Sequence, residues 1–321
     1  MSERVVLAHS GDPEATAAVE RLVAEARAEV VAITVDLGQG GEDLAAVRRR
    51  ALDLGAVDAV VTDARDEFAE QHCLPALQAH ASGLVSELAR PLIAKHLVAT
   101  AEEFGANAVV GFETDIAALA PRLAVVTPER TRRPDGGKAR CPLQQNVWGR
   151  VAEPRAPQGA WRAPDWLLDP EELTITFDAG VPVAIDGETV TALQAVQELN
   201  RRAGAHGVGR LGSHHAPGAT TLITAHRALE EVTLDPELAR FKRTVGHRWG
   251  ELVRDGRWYS PLKDALDAFV ADSQHQVSGE VRIALHAGRA EVRDRRAEEP
   301  WCAANAPTWY DSSQQLGQPC G

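Results

Sequence analysis

The chain has 321 residues, 44% hydrophobic and 25% charged, a composition that excludes a disordered polymer and leaves room for about two domains. Its formal net charge of -12 repels phosphate backbones, so no nucleic-acid partner is expected, although Arg130, Arg132 and Arg133 make a local basic knot. No apolar run is long enough to span a bilayer, the opening MSERVVLAHSG has no long apolar core behind a basic segment, and Cys73, Cys141, Cys302 and Cys320 form no CxxC pair; a cytoplasmic protein with reduced thiols and no membrane partner is expected.

Over residues 1–127 short apolar runs alternate with helical periodicity. Strands are expected at 5–8, 30–35, 59–62, 108–111 and 123–127. Helices are expected at 13 to about 28, 43–54 and 84–104, the last two stopped by Gly55 and Gly105. This rhythm predicts an α/β unit on a doubly wound parallel sheet with right-handed crossovers. Residues 128–166 carry six prolines and the string RTRRPDGGKAR, so an irregular connector is expected there. An α+β domain follows at 167–296. In it, strands at 173–177 and 181–185 flank Asp178, Ala179 and Gly180 as a hairpin. Helices are expected at 191–203, 221–234, 236–254 and 261–272, and residues 280–286 and 289–293 make a last hairpin. The stretch 297–321 reads as a flexible tail carrying Trp301, Trp309 and Tyr310, which suit either a partner protein or weak docking on the body.

The segment Val5-Val6-Leu7-Ala8-His9-Ser10-Gly11 puts a small polar residue and a glycine at the carboxyl end of the first strand, ahead of a helix. Ligands bind there in α/β sheets, and the free amides and positive dipole end of the helix suit phosphate. The next residues support a second reading. Asp12 is a good N-cap, Pro13 a good first helical residue and Glu14 a good first-turn acid, so an internal carboxylate would take the place of a ligand anion. Both readings stand on the sequence alone.

VVLAHSGDPEAT resembles VVLAYSGGLDTS, the pyrophosphate loop of the argininosuccinate synthases. Further matches follow in fixed order: residues 32–39 against AFTADIGQ, then LARPLIAK at 88–95, NVWGR at 146–150, GVPVA at 180–184, HGVGR at 206–210, AHRALE at 225–230 and WYSPL at 258–262. The resemblance implies a Rossmann-like domain of the adenine-nucleotide alpha-hydrolase/ATP pyrophosphatase type, followed by an α+β synthetase and oligomerisation domain. It implies an ATP-dependent, AMP-forming C–N ligase; the family reaction joins citrulline and aspartate into argininosuccinate, releasing AMP and pyrophosphate, in arginine biosynthesis. ATP with Mg2+ would be held by Ala8, His9, Ser10, Gly11, Asp12, Glu14, Thr16, the backbone near Val35, and Gly111. Substrate positions fall on Ser82, Ser86, Glu87, Thr114 and His214.

The chain also departs from the family pattern. Asp12 stands for the second loop glycine, and Pro13 has no amide to donate. The family segment HGATGKGNDQVRFE is shortened to the run from Val110 to Ile116, without its Asn-Asp pair and arginine. Two connector serines fall on Pro142 and Val151, a glutamate segment is missing after Arg210, and Ser82 and His214 replace tyrosines. A buried zwitterionic substrate needs paired charges, which these residues supply sparsely. Two classes therefore stay open: a ligase with changed substrates, or a non-catalytic binding or regulatory protein on the same fold. The partner is a small molecule in the first case and can be a protein in the second.

No metal site is expected, because His214 and His215 lack a third spaced ligand. His226, inside a helix, is expected to be packed or hydrogen-bonded, and Cys141 lacks an evident base partner. The family's C-terminal assembly helix has no counterpart after Arg296, so a tetramer is not expected, while a homo-oligomer through the second domain stays open.

Overall fold

The structure, a computed structural model, describes residues 3–24, 27–41, 43–126, 143–151 and 169–301. Its first half winds β1 (Arg4–Ala8), α1 (Pro13–Ala24), β2 (Glu29–Asp36), α2 (Leu44–Asp53) and β3 (Asp58–Asp63) in strict alternation. A broken helical segment follows, made of α3 (Arg65–Phe68), a π-helical turn (Ala69–Cys73) and α4 (Leu74–Gln78). Then come the long α5 (Val85–Glu103), β4 (Ala108–Val110), α6 (Glu113–Leu119) and β5 (Ala124–Val126). The strands pair in parallel in the order β3-β2-β1-β4-β5. The winding reverses at β1, and the crevice outside the carboxyl ends of the strands at such a point is where these sheets hold ligands.

Strand β2 lies inside the sheet between β3 and β1, and its Val30, Val31, Ala32, Ile33 and Val35 are all buried, as a strand covered on both faces requires. One face of the sheet packs against α1 and α2 through Val5, Leu7, Val19 and Ala51. The other face meets α5, and its core runs on into the second half through Val6, Leu88, Leu92, Trp148 and Leu229.

That second half contains β6 (Gln145–Asn146), β7 (Gly149–Val151), β8 (Glu171–Asp178), β9 (Val181–Ile185), β10 (Glu188–Thr189), α7 (Ala192–Ala205), β11 (Arg210–Leu211) and β12 (His214–His215). Helices α8 (Pro217–Thr233), α9 (Pro236–Arg254) and α10 (Pro261–Asp272) precede β13 (Gly279–His286) and β14 (Arg289–Ala297). Five strands make an antiparallel sheet ordered β10-β9-β8-β13-β14, and four short ones a second sheet ordered β11-β12-β7-β6. Helix α8 packs on β13 and β14, and α7 on β9. The α/β class with a doubly wound parallel sheet and an α+β second half is the architecture the periodicity predicts.

Several boundaries differ from expectation. Helix α1 does not reach residue 28, because Arg27 turns left-handed at φ 52° and the amide of Ala28 bonds back to Leu22 O at 3.1 Å. Helix α8 starts earlier, at Pro217, which serves as a first-turn residue that needs no amide partner. The connector expected to be irregular holds the β6–β7 hairpin. Strands this short are secured by a side chain: Asn146 Nδ2 donates to Val85 O at 2.8 Å and Asn146 Oδ1 accepts from Trp148 N at 3.0 Å. Ala297, expected to open the tail, ends β14, and the amides of Glu298 and Trp301 donate to Ser278 O and Val232 O. Trp309, Tyr310, the basic knot at Arg130, Arg132 and Arg133, and Cys141, Cys302 and Cys320 lie outside the described residues. Among the described residues no helix is long and apolar enough to cross a membrane, and Cys73 is a buried free thiol whose pKa burial pushes up.

Candidate functional site

Ala8 and His9 leave β1, Val35 lies near the end of β2 and Gly111 follows β4, so three strand ends and the start of α1 wall one cavity of about 240 Å³. His9, Ser10, Asp12, Glu14 and Arg21 form its polar side. Leu7, Ile33, Ile93, Val110, Phe112 and Leu143 give it an apolar wall. Of the nucleotide positions expected from the sequence, Gly11 and Thr16 are the two that do not line it.

The loop after β1 is built to hold a tight turn. His9 N donates to Ile33 O at 2.8 Å and Thr34 Oγ1 donates to His9 O at 2.7 Å, which ties the end of β1 to β2. Gly11 sits at φ 77°, and a Cβ there would stand 3.0 Å from a methyl of Val47 on α2, so both the turn and the packing call for glycine. Arg50 of α2 donates to Gly11 O at 3.1 Å.

Asp12 then fills the helix terminus from within. Its Oδ1 accepts from Glu14 N at 2.9 Å and Ala15 N at 3.0 Å, and its Oδ2 accepts from the Ser10 hydroxyl. The next amide, Thr16 N, donates to Asp12 O at 2.9 Å. Donors of this kind hold a ligand's anion where a helix opens onto a crevice. Here they hold a carboxylate of the chain itself.

The turn after β2 is likewise closed on itself. Gln39 Nε2 donates to Val35 O at 3.1 Å, Gln39 Oε1 accepts from Leu37 N at 2.7 Å, and Gly38 N donates to Asp36 Oδ1 at 2.8 Å. Val35 is left to offer the cavity an apolar side chain.

The five expected substrate positions do not line this cavity. Ser86 donates to Leu143 O at 2.5 Å, so it fixes a wall residue from behind. Ser82 and Thr114 are exposed. Glu87 is half-buried, with Oε2 lacking a hydrogen-bond partner among the described residues. His214 pairs with Val151 across β12 and β7, and its Nδ1 lies 3.3 Å from Ser213 Oγ. Sequence reasoning missed Arg21, Ile93, Phe112 and Leu143 as wall residues. Arg21 was within reach of it, since Glu14, Ala18 and Arg21 share one face of α1 by helical spacing. Ile93 lies in the LARPLIAK run at 88–95 and Phe112 in the run from Val110 to Ile116, but nothing in those runs marks either as a wall residue, and Leu143 comes from the connector.

A second polar group lies where the two halves meet. His80 Nε2 and His226 Nδ1 are 2.9 Å apart, His226 Nε2 meets Gln274 Oε1 at 2.8 Å, and Gln274 Nε2 donates to Glu230 Oε1 at 3.2 Å. Lys242 Nζ stands 2.7 Å from Glu230 Oε1 and donates to Gln78 O. Burial lowers the pKa of His226 to about 4 and that of His80 further, so both rings are neutral at neutral pH. Ligand atoms of His80, His226 and Glu230 lie within 4.8 Å of one another, a spacing that could hold a metal ion. Lys242 already supplies the positive charge that Glu230 requires, so the group is a satisfied hydrogen-bond network.

Two family models match the chain, one described as the arginosuccinate synthase N-terminal HUP domain over residues 4–138 and the other as the arginosuccinate synthase C-terminal domain over residues 159–318. Among solved structures, the biotin carboxylase domain of a thermophilic 2-oxoglutarate carboxylase, bound to ADP without magnesium and with a disordered phosphate tail, is 11% identical. The match covers 92% of this chain and 64% of that one, at a TM-score of 0.23. A likeness that weak carries no argument about fold or ligand.

Proposed function

The chain belongs to the argininosuccinate synthase family, and from that membership we propose that it keeps the nucleoside side of the cleft while closing the phosphate side with its own carboxylate. At the level of the family it is an ATP-dependent ligase, with a HUP domain of the kind that binds ATP. In our reading this member binds an uncharged, adenosine-like ligand and no longer runs the AMP-forming step. The observation that supports it is the set of bonds on Asp12. Seating a triphosphate there would withdraw Asp12 from two amides and a hydroxyl, and would bring like charges together in a half-buried site.

One feature favours a second reading. Asp12 and Glu14 both line the cavity, and carboxylate oxygens are ligands that Mg2+ accepts. A Mg–ATP complex that turned Asp12 outward would allow the family's ligase chemistry, attack on the α-phosphorus with release of pyrophosphate. Its acceptor and amine would differ from citrulline and aspartate, because Ser82, Ser86, Glu87, Thr114 and His214 do not gather at the cavity.

The full chain is incubated with Mg–ATP and a panel of amino acids that includes citrulline and aspartate, and AMP and pyrophosphate are measured. Adenosine binding is followed separately by calorimetry. The proposal expects adenosine to bind and no AMP or pyrophosphate above background. Release of both in equal amounts would establish the ligase and overturn it.

A further inference from the structure

Phe112 holds a backbone conformation that its side chain does not favour. It follows Gly111 at the carboxyl end of β4, and the two have φ values of 82° and 57°. Two successive residues that line the cavity are thus left-handed. Glycine adopts this region without cost, and Asn or Asp would also cap the helix that follows, whereas a bulky aromatic residue there is an outlier. Phe112 gives α6 no side-chain cap. The gain from keeping a phenylalanine must lie in its ring.

That ring is half-buried, lines the cavity and packs at the edge of the main core. The space beside it is open, since a Cβ built on Gly111 would meet nothing within 4 Å. Asp115, in the first turn of α6, is buried and points to Arg90 at 3.3 Å, so its charge is already engaged. The cavity that the ring lines has Ile33, Val35, Ile93 and Leu143 as apolar wall residues, beside the polar Ser10, Asp12, Glu14 and Arg21.

We propose that Phe112 is a binding and specificity-determining residue of the cleft, its ring stacking on a flat uncharged ring of the ligand, a purine nucleoside or base. This rests on the reading of the cleft given above and names what replaces phosphate contacts as the source of affinity. Strained residues that persist in a cavity wall commonly serve the ligand, and base–aromatic stacking is strong enough to do so.

The test titrates adenosine into the full-length wild type and into Phe112→Gly, Phe112→Asn and Phe112→Tyr, with a melting temperature for each. The Gly and Asn variants should bind adenosine about 10-fold or more weakly while still unfolding in one cooperative transition, and the Tyr variant should bind like the wild type. Equal adenosine affinity of the wild type and the Gly variant overturns the role of Phe112 and leaves the reading of the cleft standing. A Tyr variant that folds but loses binding as fully as the Gly variant also overturns it, because the ring is retained. A wild type that binds no adenosine overturns both.

Discussion

Glu230 and Lys242 form a 2.7 Å ion pair with side chains only 6% and 2% exposed. Burial pulls the pKa of Lys242 down despite the neighbouring carboxylate, so removing the ammonium from water outweighs what the pair returns. Such a pair adds little net stability, yet breaking it from one side is costly. Lys242→Met should destabilise the protein by about 3 kcal/mol in urea unfolding, because Glu230 is left buried with no ammonium. The double variant Lys242→Met/Glu230→Gln should recover most of that loss. A single variant within about 1 kcal/mol of wild type would mean that the two charges are not coupled as the geometry implies.

Helix α9 shows how an element is positioned by close approach. Alanine normally gains about 1 kcal/mol over glycine inside a helix. At Gly246, however, a Cβ would stand 2.3 Å from the carbonyl oxygen of Ala79, while at Gly250 its nearest neighbour would be the Cβ of Ala81 at 3.8 Å. Gly246→Ala should therefore lower stability by about 2 kcal/mol, since a backbone atom cannot move aside cheaply, whereas Gly250→Ala should be neutral or stabilising. Equal effects of the two in thermal unfolding would contradict this packing.

The same scale separates what was legible in the sequence from what was not. Helices α9 and α10 follow from their apolar spacing and from Pro236 and Pro261 at their starts, and the β8–β9 turn from Asp178, Ala179 and Gly180. The helices α3, α4 and α6 are too short for periodicity to register. At the site, the loop from Ala8 to Glu14 was legible because cap chemistry is local. The wall residues Ile93, Phe112 and Leu143, and the meeting of His80 with His226, depend on long-range packing that leaves no local pattern.

At the scale of the whole molecule, a reversal in strand order gathers the ends of β1, β2 and β4 around one cavity, and the family relation covers both halves of the chain. The net charge of -12 adds a long-range field that disfavours polyanions and weakens with salt. Local charge dominates over that field. Two unit charges about 4 Å apart repel by about 4 kcal/mol at an effective dielectric constant near 20, and half of that is about 30-fold in affinity. Replacing Asp12 by glycine removes the carboxylate and frees the amides of Glu14 and Ala15, at a cost of a few tenths of a kcal/mol in helix capping. The direct test is calorimetric titration of Mg–ATP into the wild type and into Asp12→Gly at one fixed salt concentration. A carboxylate-closed phosphate site predicts little heat with the wild type at millimolar nucleotide and binding at least about 10-fold tighter with Asp12→Gly. Micromolar binding to the wild type, unimproved by the substitution, would contradict it.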